Sequence, residues 1–417
     1  MKILKLSPYC FPEQVSSSHL TKDLTEGFAN ADFYIENYVP TPTRGVSEEI
    51  RREYKKKKYE VVQDGHMIIH RFSMFKEGKN PLLRAFRYVL VNLIQYHKGV
   101  NAQDIDVIYA GSTPPTQGML CSLVKKRLSK KYKRNVPFVF VLQDIFPDSL
   151  VNAKMTKKGS IIWKIGRKME DFTYCNADKI IVISGNFKQN IMEKGVPEEK
   201  IVVIPNWVNV DDVYPVERKE NKLFDKYHLD REKFYICYSG NVGHSQNLPL
   251  LLEAAKALQK EIVDLRFVLI SEGAAKAELE QKIVEEKISN MIVLPFQDYS
   301  EIASVFSLGD AGLIISKPGI GKSSVPSKTW SIMAAERPVL VSFDEDSELS
   351  QLIQSAGCGI TTKAGDLNSF LQGVRILYEN QELARQKGKL GRIYLQEHLD
   401  KDTCVKAYVD VVNSVRK

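Results

Sequence analysis

Lys328 stands at the end of the run Val325-Pro326-Ser327-Lys328, which leads into the helical pattern TWSIMAAE before Pro338 halts it. Pro near a first helical position and Ser in a first turn are start signals, and the free backbone N–H groups of such a turn attract anions. A lysine beside them adds a cation, so the chemistry on offer is the holding of a phosphate. The same run also reads as an ordinary capped helix followed by the strand VLVS. Two further turns bear on that choice. Tyr238-Ser239-Gly240-Asn241-Val242-Gly243-His244-Ser245-Gln246-Asn247 precedes the helix LPLLLEAAKALQK, and Ile270-Ser271-Glu272-Gly273 precedes another helical stretch. Each ends a strand in small residues and opens a helix, where open α/β sheets bind ligands. In the other half of the chain, Asp144 ends the buried run PFVFVL and begins IFPDSL. A carboxylate at a strand's carboxyl end can orient an acceptor hydroxyl or take its proton; it also reads as a helix cap or turn residue.

The elements that must position these residues alternate regularly. Short β-branched runs and helical patterns follow one another, the signature of parallel βαβ units. Strands are predicted at KILKL, FYIENY, HMIIHR, DVIYA, PFVFVL, KIIVIS and KIVVIP, then at YICYSG, RFVLIS, MIVLP, AGLIIS and PVLVS. The polar stretch 208–233 breaks the rhythm and reads as a linker, so the expected architecture is α/β, with two doubly wound domains and a binding cleft between them. A length of 417 residues suits two or three domains, and 43% hydrophobic residues suffices for sizeable cores.

The six cysteines (Cys10, Cys121, Cys175, Cys237, Cys358, Cys404) are scattered, without CxxC or Cys-His spacing. A reducing cytoplasm and no structural zinc are the natural expectation. KILKL follows Met1 too closely for a signal peptide, and no apolar run approaches the ~20 residues of a membrane span. The charge is uneven: RREYKKKK (51–58) and KKRLSKKYKR (125–134) both lie in the first half. Such runs read as solvated helix faces or as contacts to an anionic membrane; no recognition motif of a nucleic-acid-binding module accompanies them. In the segment 80–98, Leu83, Phe86, Leu90, Leu93 and Ile94 share a helical stripe with Arg84, Arg87 and His97 nearby. That pattern suits an interfacial helix or a core helix. Asp104-Ile-Asp106, an Asp-x-Asp match, precedes a strand instead of following one, so it does not imply a metal.

Taken in order, KILKLSPYCFPE, STPPTQG, LQDIFPDSLV, NADKIIVISGNFKQNIMEKGVPEEKIVVIPNWVN, YSGNVGHSQNLPLLLEAAKAL, SEGAAKAELE, LPFQDYSEIASVFSLGDAGLIIS and VPSKTWSIMAAERPVLVS resemble the retaining glycosyltransferases of family 4, which have the GT-B fold. The resemblance covers nearly the whole chain. It implies two Rossmann-like domains facing across a cleft: an acceptor-binding domain over 1–207, a nucleotide-sugar-binding domain over 208–394, and a closing helix over 395–417 that crosses back to the first. GNxGxxQxL together with VPSK resembles a subgroup of bacterial surface-polysaccharide transferases similar to the N-acetyl-L-fucosamine transferases. The implied activity is transfer of a sugar from a nucleotide-sugar, a UDP-sugar first, to a lipid-linked saccharide. It would take place at the inner face of the cytoplasmic membrane, by a retaining mechanism and without a cofactor. The alternative is a noncatalytic GT-B scaffold that binds nucleotide-sugar or a partner enzyme.

The resemblance also assigns roles. Gly240, Asn241 and Gly243, with Gln246, would let the backbone approach the donor diphosphate. Lys328, Val325, Pro326, Ser327 and Ser323 would surround the phosphates, and Lys322 would lie on a mobile loop, KPGIGKSS, able to close over the donor. Glu272 and Gly273 would meet the nucleoside, and Phe296 and Gln297 the base. On the acceptor side it points to Asp144 and Glu13 as catalytic groups and to a first loop carrying Ser16, Ser17, Ser18 and His19. Several positions depart from the family pattern. Its Glu-x7-Glu pair falls on Ser323 and Ser331, its Arg and Lys on Asn241 and Gln246, and its pocket His on Gln143.

Overall fold

A computed structural model describes residues 1–13, 18–78, 80–152, 155–243, 245–321 and 325–416. The chain divides into two units, one of residues 1–205 and 402–417, the other of residues 206–401.

The first unit is built on β1 (Lys2–Leu6), β2 (Tyr34–Pro40), β3 (Tyr59–Val62), β4 (Met67–Phe72), β5 (Val107–Gly111), β6 (Phe138–Leu142), β7 (Lys179–Val182) and β8 (Ile201–Val203), in the order β3-β4-β2-β1-β5-β6-β7-β8. All neighbours pair in parallel except β3, which runs antiparallel to β4. The chain winds outward from β1 through β2 and then resumes at β5 on β1's other side, so the winding reverses between β1 and β5. Continuous apolar runs such as Phe138–Leu142, buried throughout, are what a parallel sheet covered on both faces requires. Leu4, Leu6, Ile108, Phe138, Phe140 and Val182 fill one face. The last helix, Lys401–Ser414, buries Tyr408 and Val412 in this unit. A Cβ on Gly27 would stand 2.1 Å from Val405 Cγ1, so a glycine lets the helices Ser18–Asn30 and Lys401–Ser414 touch.

The second unit is built on β9 (Phe234–Asn241), β10 (Leu265–Glu272), β11 (Met291–Leu294), β12 (Ala311–Ile315), β13 (Val339–Phe343) and β14 (Gly359–Lys363), all parallel, in the order β11-β10-β9-β12-β13-β14. Here the winding reverses between β9 and β12. The segment 208–233, expected as a linker, instead packs on this unit. Val213, Leu223 and Phe224 are buried, and Arg218 pairs with Asp310. Its polar residues outnumber these apolar anchors, which is why the segment reads as a linker in sequence. β3 and β14 were not foreseen. β3 alternates exposed and half-buried residues behind a lysine run, and β14 reads GITTK, too polar and glycine-led to signal a strand.

Candidate functional site

In the second unit the loops after β9 and β12 leave the sheet at the reversal point, where open sheets leave room for ligands. A cavity of about 280 Å³ opens there, lined among others by Tyr238, Asn241, Gln246, Ser316, Pro326 and Lys328. That is near the lower end for small-molecule pockets. Val325 and Ser327 line it as well.

Lys328 is at the centre of the chemistry. It is the first residue of the helix Lys328–Ala334, and its Nζ lies over the Tyr238 ring, 3.7 Å from the centroid. No carboxylate among the described residues pairs with it. Although the residue as a whole is half-buried, its ammonium is crowded by protein, and that loss of solvation pushes its pKa down to about 7. Tyr238, which the sequence reading passed over, is buried and donates its hydroxyl hydrogen bond to the Asn241 carbonyl at 2.8 Å. The ring therefore lies fixed beneath the ammonium, and its face favours the charged form.

Gly240 explains how the lysine fits. Its φ is +141°, and a Cβ there would stand 2.7 Å from Lys328 Nζ. Gly273 has φ +139°, and its missing Cβ leaves room for the Val242 carbonyl, which would lie 2.2 Å away. Gln246 Oε1 accepts the Gly243 N–H at 2.8 Å, closing the turn after β9 on itself. The helix starts later than the sequence suggested. Ser327 is its N-cap without a side-chain cap bond, and Pro326 lies outside it, its carbonyl accepting from Thr329 Oγ1 at 2.7 Å.

The loop KPGIGKSS was expected to move. In its described part the Asp344 carboxylate accepts the N–H of Gly319 at 2.9 Å and of Gly321 at 2.7 Å. Asp344 follows β13 at a strand's carboxyl end, the positional signal that could have found it. Lys322 and Ser323 lie outside the described residues.

Three predicted donor contacts are drawn elsewhere. The exposed Glu272 pairs with Lys276 at 3.0 Å, although its carbonyl accepts the Val242 N–H at 2.8 Å and so ties the ends of β9 and β10. Gln297 Oε1 accepts from Lys226 Nζ at 2.7 Å, and its amide donates to Tyr227 Oη at 2.7 Å. Phe296 is exposed, and neither residue lines the cavity.

In the first unit two buried amides shape the carboxyl ends of the central strands. Gln95 Nε2 donates to the carbonyls of Ser7 and Tyr38, each at 2.8 Å, and Gln117 Nε2 donates to that of Leu6. Ser112 Oγ at the end of β5 accepts the N–H of Gln143 at 3.0 Å and of Asp144 at 3.2 Å, which sets the turn after β6. Asp144 is an exposed residue whose carboxyl nonetheless crowds protein; the loss of solvation raises its pKa, against hydrogen bonds from Ser149 and Ile145. Asp148 beyond it accepts from Lys194 Nζ at 2.7 Å.

Glu13 departs from its expected role. It is buried, and its carboxylate accepts the N–H groups of Thr43 at 2.7 Å, Arg44 at 3.1 Å and Cys10 at 3.2 Å. Burial raises its pKa, while those N–H groups act in the opposite direction. This is a carboxylate that staples two loops, with its oxygens occupied by the protein itself. His19 stands half-buried in the first turn of Ser18–Asn30; Ser16, Ser17 and the side chain of Ser18 lie outside the described residues. Asp106 accepts the Lys2 N–H at 2.9 Å, bracketing β1 to β5.

The profile of Glycosyltransferase Family 4 matches residues 19–212, and that of Glycosyl transferases group 1 matches residues 219–393. WcaI of Escherichia coli, named as a colanic acid biosynthesis glycosyl transferase, is 26% identical over 65% of this chain and 66% of its own length. WbjE of Pseudomonas aeruginosa, named as a glycosyltransferase, is 28% identical over 61% of each. The matched regions are thus a little under two thirds of these relatives' lengths. Among solved structures, HepE from Anabaena in complex with UDP superposes with a TM-score of 0.72 at 14% identity, covering 100% of both chains. At that identity the likeness speaks to the fold, which is GT-B.

Proposed function

Since the chain belongs to the glycosyltransferases that join a family 4 domain to a group 1 domain, we propose that it carries a sugar from a UDP-sugar to a lipid-linked saccharide during assembly of a bacterial surface polysaccharide. One observation carries the reading: Lys328, a cation without a carboxylate partner among the described residues, occupies a pocket at the reversal point of a doubly wound sheet. A crowded ammonium that lacks a counter-ion has its partner supplied by an anionic ligand. The proposed partner is a diphosphate lying in the cavity beside the glycine turn after β9.

The chemistry follows from that pairing. Breaking the bond between the anomeric carbon and the β-phosphate oxygen leaves negative charge on that phosphate. A fixed cation aimed at the developing charge lowers the barrier, and Lys328 is that cation here, so the reading requires no metal. In the retaining course proposed, the acceptor oxygen bonds to the anomeric carbon on the face the phosphate leaves, and its proton passes to the departing phosphate oxygen. Asp144 is proposed to orient the acceptor hydroxyl. Support for a polysaccharide product comes from the name of WcaI, and support for uridine from the nucleotide bound to HepE.

We place the enzyme on the membrane surface. No described helix is long and apolar enough to cross a membrane. The helix Pro81–Asn101, however, exposes Leu83 (56%), Phe86 (55%), Val89 (52%) and Leu93 (61%) along one side, which supports an interfacial reading, while Leu90 and Ile94 of the stripe pack against Phe72, Met74 and Val91. Lys55–Lys58 are exposed in the same unit.

The substitutions at Asn241, Gln246 and Ser331 favour a second reading, a noncatalytic binder of nucleotide-sugar. Thermal stabilisation by a panel of UDP-, GDP- and dTDP-sugars tests the common premise, since a ligand at 100 times its Kd adds roughly 2.7 kcal/mol. Slow release of nucleotide from the stabilising donor marks the enzyme; stabilisation without release marks the binder. Failure of every sugar nucleotide to stabilise would overturn both.

A further inference from the structure

A second charged site lies in the first unit. Tyr9 follows β1, Arg44 follows β2 and Glu77 follows β4, all beyond the carboxyl ends of their strands, and Arg84, Arg87 and Tyr88 reach them from the helix Pro81–Asn101. Among the described residues one carboxylate serves the whole group. Glu77 Oε1 lies 2.7 Å from Arg44 Nη2 and 3.1 Å from Arg84 Nε, while Oε2 accepts from Tyr9 Oη at 2.9 Å and lies 3.6 Å from Arg87 Nη1. Three guanidinium groups sharing one carboxylate leave an excess of two positive charges.

Arg87 makes the excess costly. It is fully buried and donates from Nε to the Phe75 carbonyl at 3.1 Å, but its two terminal nitrogens make no hydrogen bond among the described residues. Buried charge that a shared carboxylate compensates only in part is disfavoured unless something else neutralises it. Arg44 and Arg84 above it are 39% and 42% exposed at the side chain, so an incoming anion can reach them. Planar guanidinium forks suit phosphate oxygens. The surroundings are apolar on one side: Phe75 and Phe86 stack at 6.5 Å, and both are exposed, as is Leu83.

We propose that Arg44, Arg84 and the underlying Arg87 form a subsite for the diphosphate of a lipid-linked acceptor, with the first part of its hydrocarbon chain lying against Phe75 and Phe86. The inference rests on the transferase reading and gives its acceptor an address. Two excess charges match a diphosphate diester, and the aromatic pair beside them matches an apolar substituent on that diphosphate instead of a free ion.

Calorimetric titration of the full chain with farnesyl diphosphate tests it, with saturating UDP present to fill the other diphosphate pocket and with inorganic diphosphate and phosphatidylglycerol vesicles as comparison arms. The variant is Arg44→Gln/Arg84→Gln, which leaves Arg87 its carboxylate; its thermal midpoint and UDP affinity report on folding and on the donor site. The expected result is binding of farnesyl diphosphate at least tenfold tighter than inorganic diphosphate, reduced tenfold or more in the variant, with UDP affinity unchanged. A second variant, Phe86→Ser, should lose the preference for farnesyl over inorganic diphosphate. Equal affinity of wild type and variant for farnesyl diphosphate overturns the subsite. So does a variant that loses only vesicle binding, which would assign the arginines to phospholipid headgroups. If UDP itself does not bind, the donor reading fails by that separate measurement, and the titration without UDP still decides the subsite.

Discussion

A lysine whose ammonium is crowded by protein and titrates near 7 responds to its ligand through protons. Free Lys328 is mostly neutral above about pH 7, whereas beside a diphosphate its charged form is favoured, so binding takes up a proton. The sign follows: affinity for UDP is highest where the ammonium is already charged and falls as pH rises above about 7, by up to about tenfold per unit. Calorimetry at about pH 8 in buffers of different ionisation enthalpy should show proton uptake that Lys328→Met abolishes; affinity that is flat from about pH 7 to 9 would contradict it. For Asp144→Asn the expected outcome is loss of transfer to acceptor with UDP affinity nearly unchanged. Equal loss of both would make the residue structural. That Asn241, Gln246, Val325, Pro326, Ser327 and Lys328 line one cavity was legible because each stands on the passage from a strand's carboxyl end into a helix, where open sheets leave room for ligands. Glu13 and Gln297 misled, since acids and amides beside loops serve as ligands or as staples, and only the coordinates of Thr43 and Tyr227 tell which.

At the scale of elements, the turn after β9 and the start of Lys328–Ala334 act as one device. Gly240 holds a φ that other residues adopt only with strain, and its bare Cα makes space for Lys328. Gly240→Ala should therefore cost about 1–3 kcal/mol in stability and weaken UDP binding as well, read by thermal unfolding with and without UDP; an unchanged UDP affinity would separate the turn from the site. Most strands could be read directly, since parallel strands buried on both faces are unbroken apolar runs. The exceptions carried no such run: β3 pairs by its backbone while Tyr59 and Val61 stay exposed, and β14 shows two threonines and a glycine. The fastening of 317–321 by Asp344 was illegible, because the bond joins residues 23 and 25 positions apart and leaves no local pattern.

For the whole molecule, the formal charge of +8 matters by where it lies. With Lys55–Lys58 exposed and the apolar side of Pro81–Asn101 open, the first unit should bind anionic vesicles reversibly. Each basic residue near the surface contributes about 1 kcal/mol, screened over roughly 10 Å at 0.1 M salt. Flotation with anionic vesicles should fall with added salt and on changing Lys55–Lys58 to Gln. Equal recovery with neutral and anionic vesicles would leave the basic runs as solvated surface. The sequence showed both the basic runs and the amphipathic stripe, but only the fold divides the stripe, with Leu83, Phe86 and Leu93 exposed and Leu90 and Ile94 packed against Phe72, Met74 and Val91, since core and interfacial helices share one periodicity.

Lys328 is proposed to neutralise the leaving diphosphate of a nucleotide-sugar, and the decisive measurement is release of UDP from the stabilising UDP-sugar, at saturating donor, by wild type and Lys328→Ala. Turnover should fall about 10²- to 10³-fold in a variant that unfolds as cooperatively as wild type; wild-type turnover in that variant would remove Lys328 from the chemistry.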